Sequence, residues 1–453
     1  MASAFLRAAG RVTKVTFTRI TLSLTVVWLA GNVAQATDGY FQYGYGARQS
    51  GLGGAGVADS RDAMALSLNP AGLVDVDRQL QVGMALFMPY RSYTATGTNF
   101  VAPGSYDSGD NIFPVPNLAY SSPIDADSAW GIAVFGNGGM NTNWPLMSNS
   151  TPYCVGSGGS SGVFCDGSKL HVDLMQAFVA VGYARRFGNF SVGISPVAAI
   201  QRIRVQGLGA FAGVSSDSAN LTSGDYSYSY GGGLRLGVQW KVMPNVRVGF
   251  SGQTPMWMTK FHKYAGLFAD GGNFDIPANI TAGIAWDINP AFTVMFDYKH
   301  IFYGSVASIA NPMSSPGFLG LSNGPGFGWH DIDVFKVGAE WRATPKWTFR
   351  VGYSHNTNPI TSPDVTFNIL APGVVTDHFT GGFAYKATPH STLEFAAAYV
   401  PPNSVSGPEK TGSPPFTTTN GSNIDISMHQ LQFTLGYTYE FGPDKPVQPK
   451  YHK

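Results

Sequence analysis

Six basic side chains lie in stretches where apolar and polar residues alternate. Guanidinium and ammonium groups donate charge-assisted hydrogen bonds to carboxylates. Cations that face a cavity could therefore hold the head of an amphipathic molecule. Acidic residues in the same stretches supply counter-charges, so a solvated ion network is the alternative role for each cation. The cations are Arg202, Arg204, Arg235, Lys299, Lys336 and Arg350, and the acids are Asp297, Glu340, Glu394 and Glu440.

Arg202 and Arg204 lie where the alternation changes phase. The apolar residues between positions 192 and 200 share one parity, whereas Ile203 and Val205 take the other. A bulge adds one unpaired residue to a strand and would restore the pattern beyond it. We therefore predict a bulge that turns both arginines towards the interior.

A glycine-rich stretch interrupts another alternating segment at Gly136, Asn137, Gly138 and Gly139. Glycine inside a strand weakens pairing and marks a bulge or a sharp bend. A gap there could open a sheet sideways. Alternatively, the strand ends at these residues and enters a loop, and the residues alone favour neither interpretation.

The stretch Gly51–Gly56 has the G-x-G-x-x-G spacing that holds a pyrophosphate in nucleotide-binding folds. It follows no predicted strand and belongs to no βαβ unit, so we interpret it as flexible backbone of a compact plug. A short helical piece is predicted at Asp59–Leu68, before the turn that Asn69-Pro70 forces. The histidines and cysteines have no metal-ligand spacing, and we predict no cofactor, metal or catalytic residue.

The first residues have the pattern of an export signal. Basic residues between positions 7 and 19 precede a short apolar core, Ile20–Ala30, and the small residues of the triplet 34–36 suit cleavage. An uncleaved anchor helix is the alternative, and the short core argues against it. In an oxidising compartment Cys154 and Cys165 are predicted to form a disulfide, with two free thiols as the alternative.

Composition restricts the class of protein. Charged residues make up 12% of the 453 residues, which is about half the usual share, whereas aromatic residues reach 13%. The mean hydropathy of −0.01 is too low for a bundle of membrane-spanning helices. A formal net charge of +1 gives no reason to expect a nucleic-acid partner.

The last alternating segment, Gln430–Phe441, predicts a strand with one apolar and one polar face. About fourteen such segments follow residue 77, among them Gln79–Ser92, Ser128–Met140, Ser391–Val400 and Met428–Phe441. Short turns alternate with long loops between them, which is typical of outer-membrane barrels. Because a sheet edge cannot face lipid, we predict a closed barrel rather than the alternative, a soluble β-sandwich.

Several short motifs occur in a characteristic order and spacing. They are Ser50-Gly51-Leu52-Gly53, Asn69-Pro70-Ala71, Val115-Pro116-Asn117, Trp130-Gly131 with Asn137 and Gly139, and Trp347-Thr348-Phe349-Arg350. Through them the chain resembles the FadL family of long-chain fatty-acid and hydrocarbon transporters of Gram-negative outer membranes. The likeness covers nearly the whole chain after the signal.

The resemblance implies an all-β fold, a fourteen-stranded antiparallel barrel with an N-terminal hatch in its lumen. It divides the chain into a signal peptide (1–36), a hatch (37–76), a barrel (77–441) and a periplasmic tail (442–453). A kink in the third strand, at Gly136–Gly139, would make a side opening into the membrane. The loop Gln206–Asp225 is shorter than the loop that helps form an outer capture groove in the fatty-acid transporters.

The expected function is passive uptake of long-chain fatty acids or related hydrophobic compounds, bound above the hatch and released through the third strand. The predicted site combines Asn69, Pro70 and Ala71 of the hatch, the four residues Gly136–Gly139, and the cations Arg202, Arg204 and Arg350. We expect a monomer whose partners are the hydrophobic substrate and outer-membrane lipid. A general diffusion porin is the first alternative, and an outer-membrane lipid hydrolase with a Ser-His pair assembled in space is the second.

Overall fold

The computed structural model describes residues 38–442. The predicted signal peptide (1–36), Thr37, and the predicted tail beyond Gly442 lie outside the described residues. No helix in the described part is both long enough and apolar enough to cross a membrane.

Fourteen long strands form one closed antiparallel barrel, as predicted. Each strand pairs with the next, and the last pairs with the first from Gln79 opposite Glu440 to Thr96 opposite Asn423. No edge of the ring is therefore left open to lipid. The strands are β1 Gln79–Thr96, β2 Phe113–Pro123, β3 Ser128–Asn143, β4 His171–Phe187, β5 Phe190–Gln206, β6 Ser227–Met243, β7 Val246–Gln253, β8 Asn279–Asn289, β9 Phe292–Ile301, β10 Ile332–Arg342, β11 Trp347–Asn356, β12 Asp377–Lys386, β13 Ser391–Gly407 and β14 Asn423–Glu440.

Short turns join the strands at one end of the barrel, which we call the turn end, and long loops join them at the other, the loop end. The loops carry the short strands Gly104–Asp107, Trp257–Met258, Lys410–Thr411 and Thr417–Thr418. They also carry the short helices Pro152–Gly156, Ala269–Gly272, Ala307–Ala310 and Val365–Asn368, and the 3₁₀ turns Gly209–Val214, Ser218–Asn220, His262–Tyr264, Tyr303–Ser305 and Ser362–Asp364.

The period of two along each strand separates a lipid-facing surface from the lumen. In β10, Val337 is 48% exposed on the outer surface, whereas the neighbouring Lys336 is 3% exposed and faces inward. In β9, Phe296 faces outward and Asp297 and Lys299 face inward. The charges of these strands therefore point into the lumen.

Residues 38–76, which we call the N-terminal segment, lie against the inner faces of the strands. The segment contains the helix Gly46–Gly51 and the 3₁₀ turns Ala63–Ser67 and Pro70–Asp75. Glycines on the inner wall allow the segment to pack close to the strands. For example, a β-carbon at Gly237 would overlap the side chain of Asn69. The glycine-rich stretch at Gly51–Gly56 is packed against the wall, so its interpretation as flexible backbone is wrong.

Candidate functional site

The ladder between β2 and β3 is interrupted at the glycine-rich stretch. The two strands pair from Pro123 opposite Ala129 to Asn117 opposite Phe135, and the pairing stops there. Beyond that point β3 continues to pair with β4, with a register shift between Gly136 and Gly138. The strand therefore neither ends nor enters a loop, and the prediction of a bulge is the interpretation that the structure supports. One edge of β3 is left without its neighbour strand.

The start of the N-terminal segment fills this edge. The Gln42 amide donates to the Asn137 carbonyl at 3.0 Å, and the Gly139 amide donates to the Tyr40 carbonyl at 3.1 Å. The Gln42 side-chain amide adds a bond to the Gly136 carbonyl at 2.7 Å. A β-carbon at Gly138 would overlap the Tyr40 carbonyl, so only glycine allows this close approach. Residues 40–42 thus form the hydrogen bonds to β3 that a neighbouring strand would otherwise form.

A small cavity of about 220 Å³, which we call the gap cavity, lies between β2 and β3 at the interruption. Tyr45 and Gln42 of the N-terminal segment form one side, and Val115, Asn117 and Phe135 belong to the wall. Asn137, the extra residue of the bulge, accepts a hydrogen bond from the Tyr45 hydroxyl at 3.2 Å. The gap cavity therefore lies between the N-terminal segment and the place where the pairing of β2 with β3 stops.

Two further cavities lie towards the loop end and share Met140 of β3 as a lining residue. The first, the arginine cavity, has a volume of about 300 Å³ and is lined by Gly139, Phe87, Pro89, Arg91, Asn141, Trp329, Ala371, Pro372, Gly373 and Met428. The second, the loop cavity, has a volume of about 520 Å³ and an almost wholly apolar lining that includes Val172, Ile203, Val205, Phe211, Phe327 and Phe367. The space that a water molecule could occupy in them is only about 20 and 30 Å³, so lining side chains must move apart before a larger ligand fits.

Arg91 is the one charged side chain among the residues that line the arginine cavity. It lies 4% exposed on the inner face of β1, and its guanidinium donates to the carbonyls of Gly109 and Asp110 at 2.8 and 2.9 Å. No carboxylate within the described residues forms an ion pair with it, and its Nε atom has no hydrogen-bond partner there. Arg91 is not among the site residues predicted from the sequence, although its position on the polar face of the predicted strand Gln79–Ser92 was a signal for an inward cation.

An ion cluster fastens the first described residue. The Asp38 carboxylate lies 3.2 Å from the Lys336 ammonium and 3.4 Å from that of Lys299. Complete burial raises the pKa of Asp38, and the nearby positive charges outweigh burial, so that the pKa is lowered overall. The carboxyl group is therefore ionised and anchors the segment beside Tyr40 and Phe41.

A second ion cluster holds the segment near the turn end. Arg48 lies 2.6 Å from Asp59 and 3.1 Å from Glu340. Arg350 bridges Glu340 and Glu394 at 3.0 and 2.7 Å. Arg350 faces inward as predicted, but it does not line either cavity near the loop end. Its guanidinium is already ion-paired with the Glu340 and Glu394 carboxylates of the wall.

Asn69, Pro70 and Ala71 also lie away from those two cavities. The Asn69 side-chain amide donates to the carbonyls of Val57 and Val238, and its oxygen accepts from the Ala71 amide at 3.0 Å. The three residues attach the segment to β6 and begin its last 3₁₀ turn. Among the predicted site residues, only Gly136 and Gly139 line the gap, arginine or loop cavity, whereas Arg350 lines a separate polar cavity at the turn end.

The prediction for Arg202 and Arg204 is wrong. The pairing of β5 with β4 and with β6 keeps one register, so β5 contains no bulge. Ile203 and Val205 face the lumen, and both arginines face outward. They cannot hold a molecule inside the barrel.

Cys154 and Cys165 form a disulfide, which closes a loop at the loop end of the barrel. Within the described residues, no group of three or more His, Cys, Asp or Glu side chains is placed to hold a metal. The G-x-S-x-G spacing of a hydrolase elbow occurs around Ser160 and Ser322. Both serines are exposed in loops rather than between a strand and a helix, and neither hydroxyl bonds a histidine within the described residues.

Three solved structures show the same fold. A toluene transporter of Pseudomonas putida, TodX, is 18% identical with a TM-score of 0.63, and covers 88% of this chain and 99% of its own. A FadL homologue of Pseudomonas aeruginosa is 16% identical with a TM-score of 0.64 (89% and 100%). The Ralstonia pickettii toluene transporter TbuX is 20% identical with a TM-score of 0.59 (88% and 99%). Comparison with curated protein sequences found no match.

A family model extends this likeness from fold to membership. The model described as outer membrane protein transport protein (OMPP1/FadL/TodX) matches residues 44–441, which is most of the chain. The match includes all fourteen strands and most of the N-terminal segment. This barrel therefore belongs to the OMPP1/FadL/TodX family of outer-membrane transport proteins and lies in a Gram-negative outer membrane.

Proposed function

We propose that the chain takes up long-chain fatty acids or related hydrophobic compounds passively and releases them sideways through the interruption between β2 and β3. The observation that carries this proposal is the unpaired edge at Gly136–Gly139, which is covered by Tyr40–Gln42 and by no wall strand. An apolar cargo needs an exit into lipid, and at this edge β2 and β3 form no hydrogen bonds with each other.

The cavities mark a route to that exit. The arginine and loop cavities lie on one side of the bulge, at Gly139 and Met140, and the gap cavity lies on the other, at Gly136. A cargo gains about 0.8 kcal/mol for each CH₂ group that leaves water for an apolar lining. Movement of Tyr40–Gln42 away from β3 would join the cavities on the two sides.

A straight route through the lumen is much less favourable for an oily molecule. It would cross the ion cluster around Arg48, Glu340 and Arg350, which lines a polar cavity at the turn end together with Arg61 and Lys386. Leaving these charges without water or partners is costly. Lateral release avoids that cost.

Arg91 is our candidate for the group that holds the cargo's head, in place of Arg202, Arg204 and Arg350. A carboxylate in the arginine cavity would meet a guanidinium that lacks an acidic partner, while its alkyl chain would enter the apolar loop cavity past Met140. This arrangement favours an amphipathic acid. Two of the structural relatives are toluene transporters, so neutral hydrocarbons are the competing substrate class in this proposal.

Filling the gap cavity tests the proposal. Val115 is buried and lines that cavity, whereas Leu118 on the same strand faces lipid and is 38% exposed. Val115→Trp should slow fatty-acid uptake by about tenfold or more, since each 1.4 kcal/mol of added barrier is a tenfold change, whereas Leu118→Trp should leave uptake unchanged. Equal uptake by both variants, with barrel assembly verified by circular dichroism, would contradict lateral release.

Conductance separates this proposal from the porin alternative. The N-terminal segment occupies the lumen, so wild-type protein in a planar bilayer should pass little ion current, whereas a porin passes a large steady current. We propose a monomer, because the closed ring leaves no strand edge that a second copy would need to cover. An ester substrate offered to the purified protein tests the hydrolase alternative.

A further inference from the structure

A group of basic side chains lies on the outer wall of the barrel, where the lumen and its cargo cannot reach them. Arg202 and Arg204 face outward near the loop end of β5. His171 faces outward at the start of β4, with Lys169 exposed just before it, and Arg204 lies opposite Asp173 in the β4–β5 ladder. We call these four basic residues the basic patch.

The basic patch has too few carboxylates to neutralise it. Asp173 is the carboxylate that pairs with it, at 3.7 Å from Arg202, and its side chain is only 1% exposed and accepts the Tyr226 hydroxyl at 2.6 Å. Within the described residues, Arg204 forms neither an ion pair nor a hydrogen bond through its side chain. The Nε atoms of Arg202 and Arg204 are both buried without a hydrogen-bond partner there. The two guanidinium groups therefore retain unused donors.

Two outward histidines elsewhere on the loop rim each lie close to a carboxylate. His300 lies 2.7 Å from Asp333, and His355 lies 2.9 Å from Asp377. In both pairs a tyrosine hydroxyl of the same wall also donates to the carboxylate. Arg202 and Arg204 differ from these histidines, because Arg202 reaches its carboxylate only at 3.7 Å and Arg204 pairs with none within the described residues.

The height of the basic patch places it at the outer surface of the membrane. Arg202 lies twelve residues beyond Phe190, the outward aromatic at the turn end of β5. At a rise of about 3.4 Å per residue and a tilt of about 40°, this is roughly 31 Å along the barrel axis, beyond an apolar band about 25 Å tall. Tyr228 and Tyr230 lie exposed beside Arg202 and Ile200 on the neighbouring β6, as aromatics of an interfacial girdle do.

We propose that the basic patch is a binding site for the phosphate group of a glycolipid in the outer leaflet. A phosphate monoester offers several acceptor oxygens, which match the fork of guanidinium donors that Arg202 and Arg204 present. The Tyr226 ring stacks on the Arg202 guanidinium at 4.6 Å and keeps it on the wall, below the solvent-exposed loops. The exposed rings of Tyr228 and Tyr230 would lie against the sugar and the upper acyl chains.

This proposal does not depend on what the barrel transports. The test measures the Kd of purified protein in detergent for diphosphorylated lipid A by thermophoresis, with dephosphorylated lipid A and inorganic phosphate as separate probes. Arg202→Gln combined with Arg204→Gln should weaken lipid A binding by about tenfold or more, as loss of charge-assisted hydrogen bonds does. The matched control is Arg185→Gln, which removes an outward cation from the turn end of β4.

Several outcomes decide the matter. Arg202→Lys with Arg204→Lys should bind more tightly than the double Gln variant but less tightly than the wild type, because the charges remain and the fork of donors is lost; this separates loss of charge from misfolding. Dephosphorylated lipid should bind the wild-type protein as weakly as phosphorylated lipid binds the double Gln variant. Equal Kd values for the wild-type and double Gln proteins would overturn the proposal. So would competition by inorganic phosphate at the same concentration as the lipid, because it would identify a site for the free anion.

Discussion

The hydroxyl of Tyr303 donates a hydrogen bond to the Asp38 carbonyl at 2.6 Å, and so connects the loop after β9 to the first residue of the N-terminal segment. The same hydroxyl accepts the Tyr40 amide at 3.1 Å. Tyr40 in turn completes the edge of β3 at Gly139. One buried side chain therefore links two of the residues at the start of the segment that closes the gap in the wall.

Removing this hydroxyl should loosen the closure. Tyr303→Phe leaves the Asp38 carbonyl and the Tyr40 amide without their partner, at a cost of about 1–3 kcal/mol. We expect hydrogen exchange at the amides of residues 40–42 to accelerate by about tenfold or more, because local opening controls exchange. Tyr298→Phe is the control, since its hydroxyl bonds Asp333 on the outer wall. Unchanged exchange at residues 40–42 in Tyr303→Phe would show that the hydroxyl does not hold the closure.

Arg91 should distinguish acids from neutral ligands of the same length. Arg91→Met removes the cation of the arginine cavity, so binding of a long-chain carboxylate should weaken by about tenfold or more, while the matching alcohol changes little. Isothermal titration with both ligands measures the difference. Arg202→Gln, outside the barrel, should alter neither affinity. An equal loss for acid and alcohol in Arg91→Met would mean that the variant damages the cavity instead of removing a head-group contact.

Asp62 should make stability depend on pH. Burial raises the pKa of Asp62 to about 6, with Arg48 acting against the shift and Glu394 adding to it. Because the folded pKa lies above the usual value of 3.8, the folded state favours the protonated form, and this stabilisation is lost as pH rises through about 6. The free energy of unfolding of Asp62→Asn, relative to wild type, should therefore increase between pH 4 and pH 7. Urea titrations at the two pH values check this, and a constant difference between the proteins would refute it.

The strands were predictable because lipid outside and polar groups inside impose a period of two on each of them. The predicted direction of Arg202 and Arg204 was wrong because, at one height along β5, the surroundings of the outer face and of the inner face both change polarity. Below that height in β5, Ile194 faces outward and Ser195 faces inward; above it, Arg202 faces outward and Ile203 faces the apolar loop cavity. The parity of apolar residues therefore reverses without a bulge, and we misinterpreted the reversal.

The same reversal shortened the last predicted strand. The prediction began β14 at Met428, whereas the strand begins at Asn423. Ile424 and Ile426 face the lumen, and Asp425 between them faces outward, which is the opposite of the pattern from Leu431 onward. One parity change within each of these strands accounts both for the inward Ile424 and Ile426 and for the outward Arg202.

The closure of the gap was beyond prediction from sequence. Glycines at 136, 138 and 139 indicated an irregular strand, but the partner of that edge is Tyr40–Gln42, about a hundred residues earlier in the chain. Which residues meet there depends on the path of the N-terminal segment across the lumen. That path is set by contacts such as Arg48 with Glu340, which join groups 292 positions apart.

The most direct measurement is to photolabel the route of a bound cargo. A long-chain fatty acid with a diazirine near its methyl end would be cross-linked to the protein in membranes, and the labelled peptides identified by mass spectrometry. We expect labels at Val115, Asn117 and Phe135 around the gap cavity, and fewer of them in Val115→Trp. Labels at Arg61 or Lys386 in the polar cavity of the turn end, with none at the gap, would contradict lateral release.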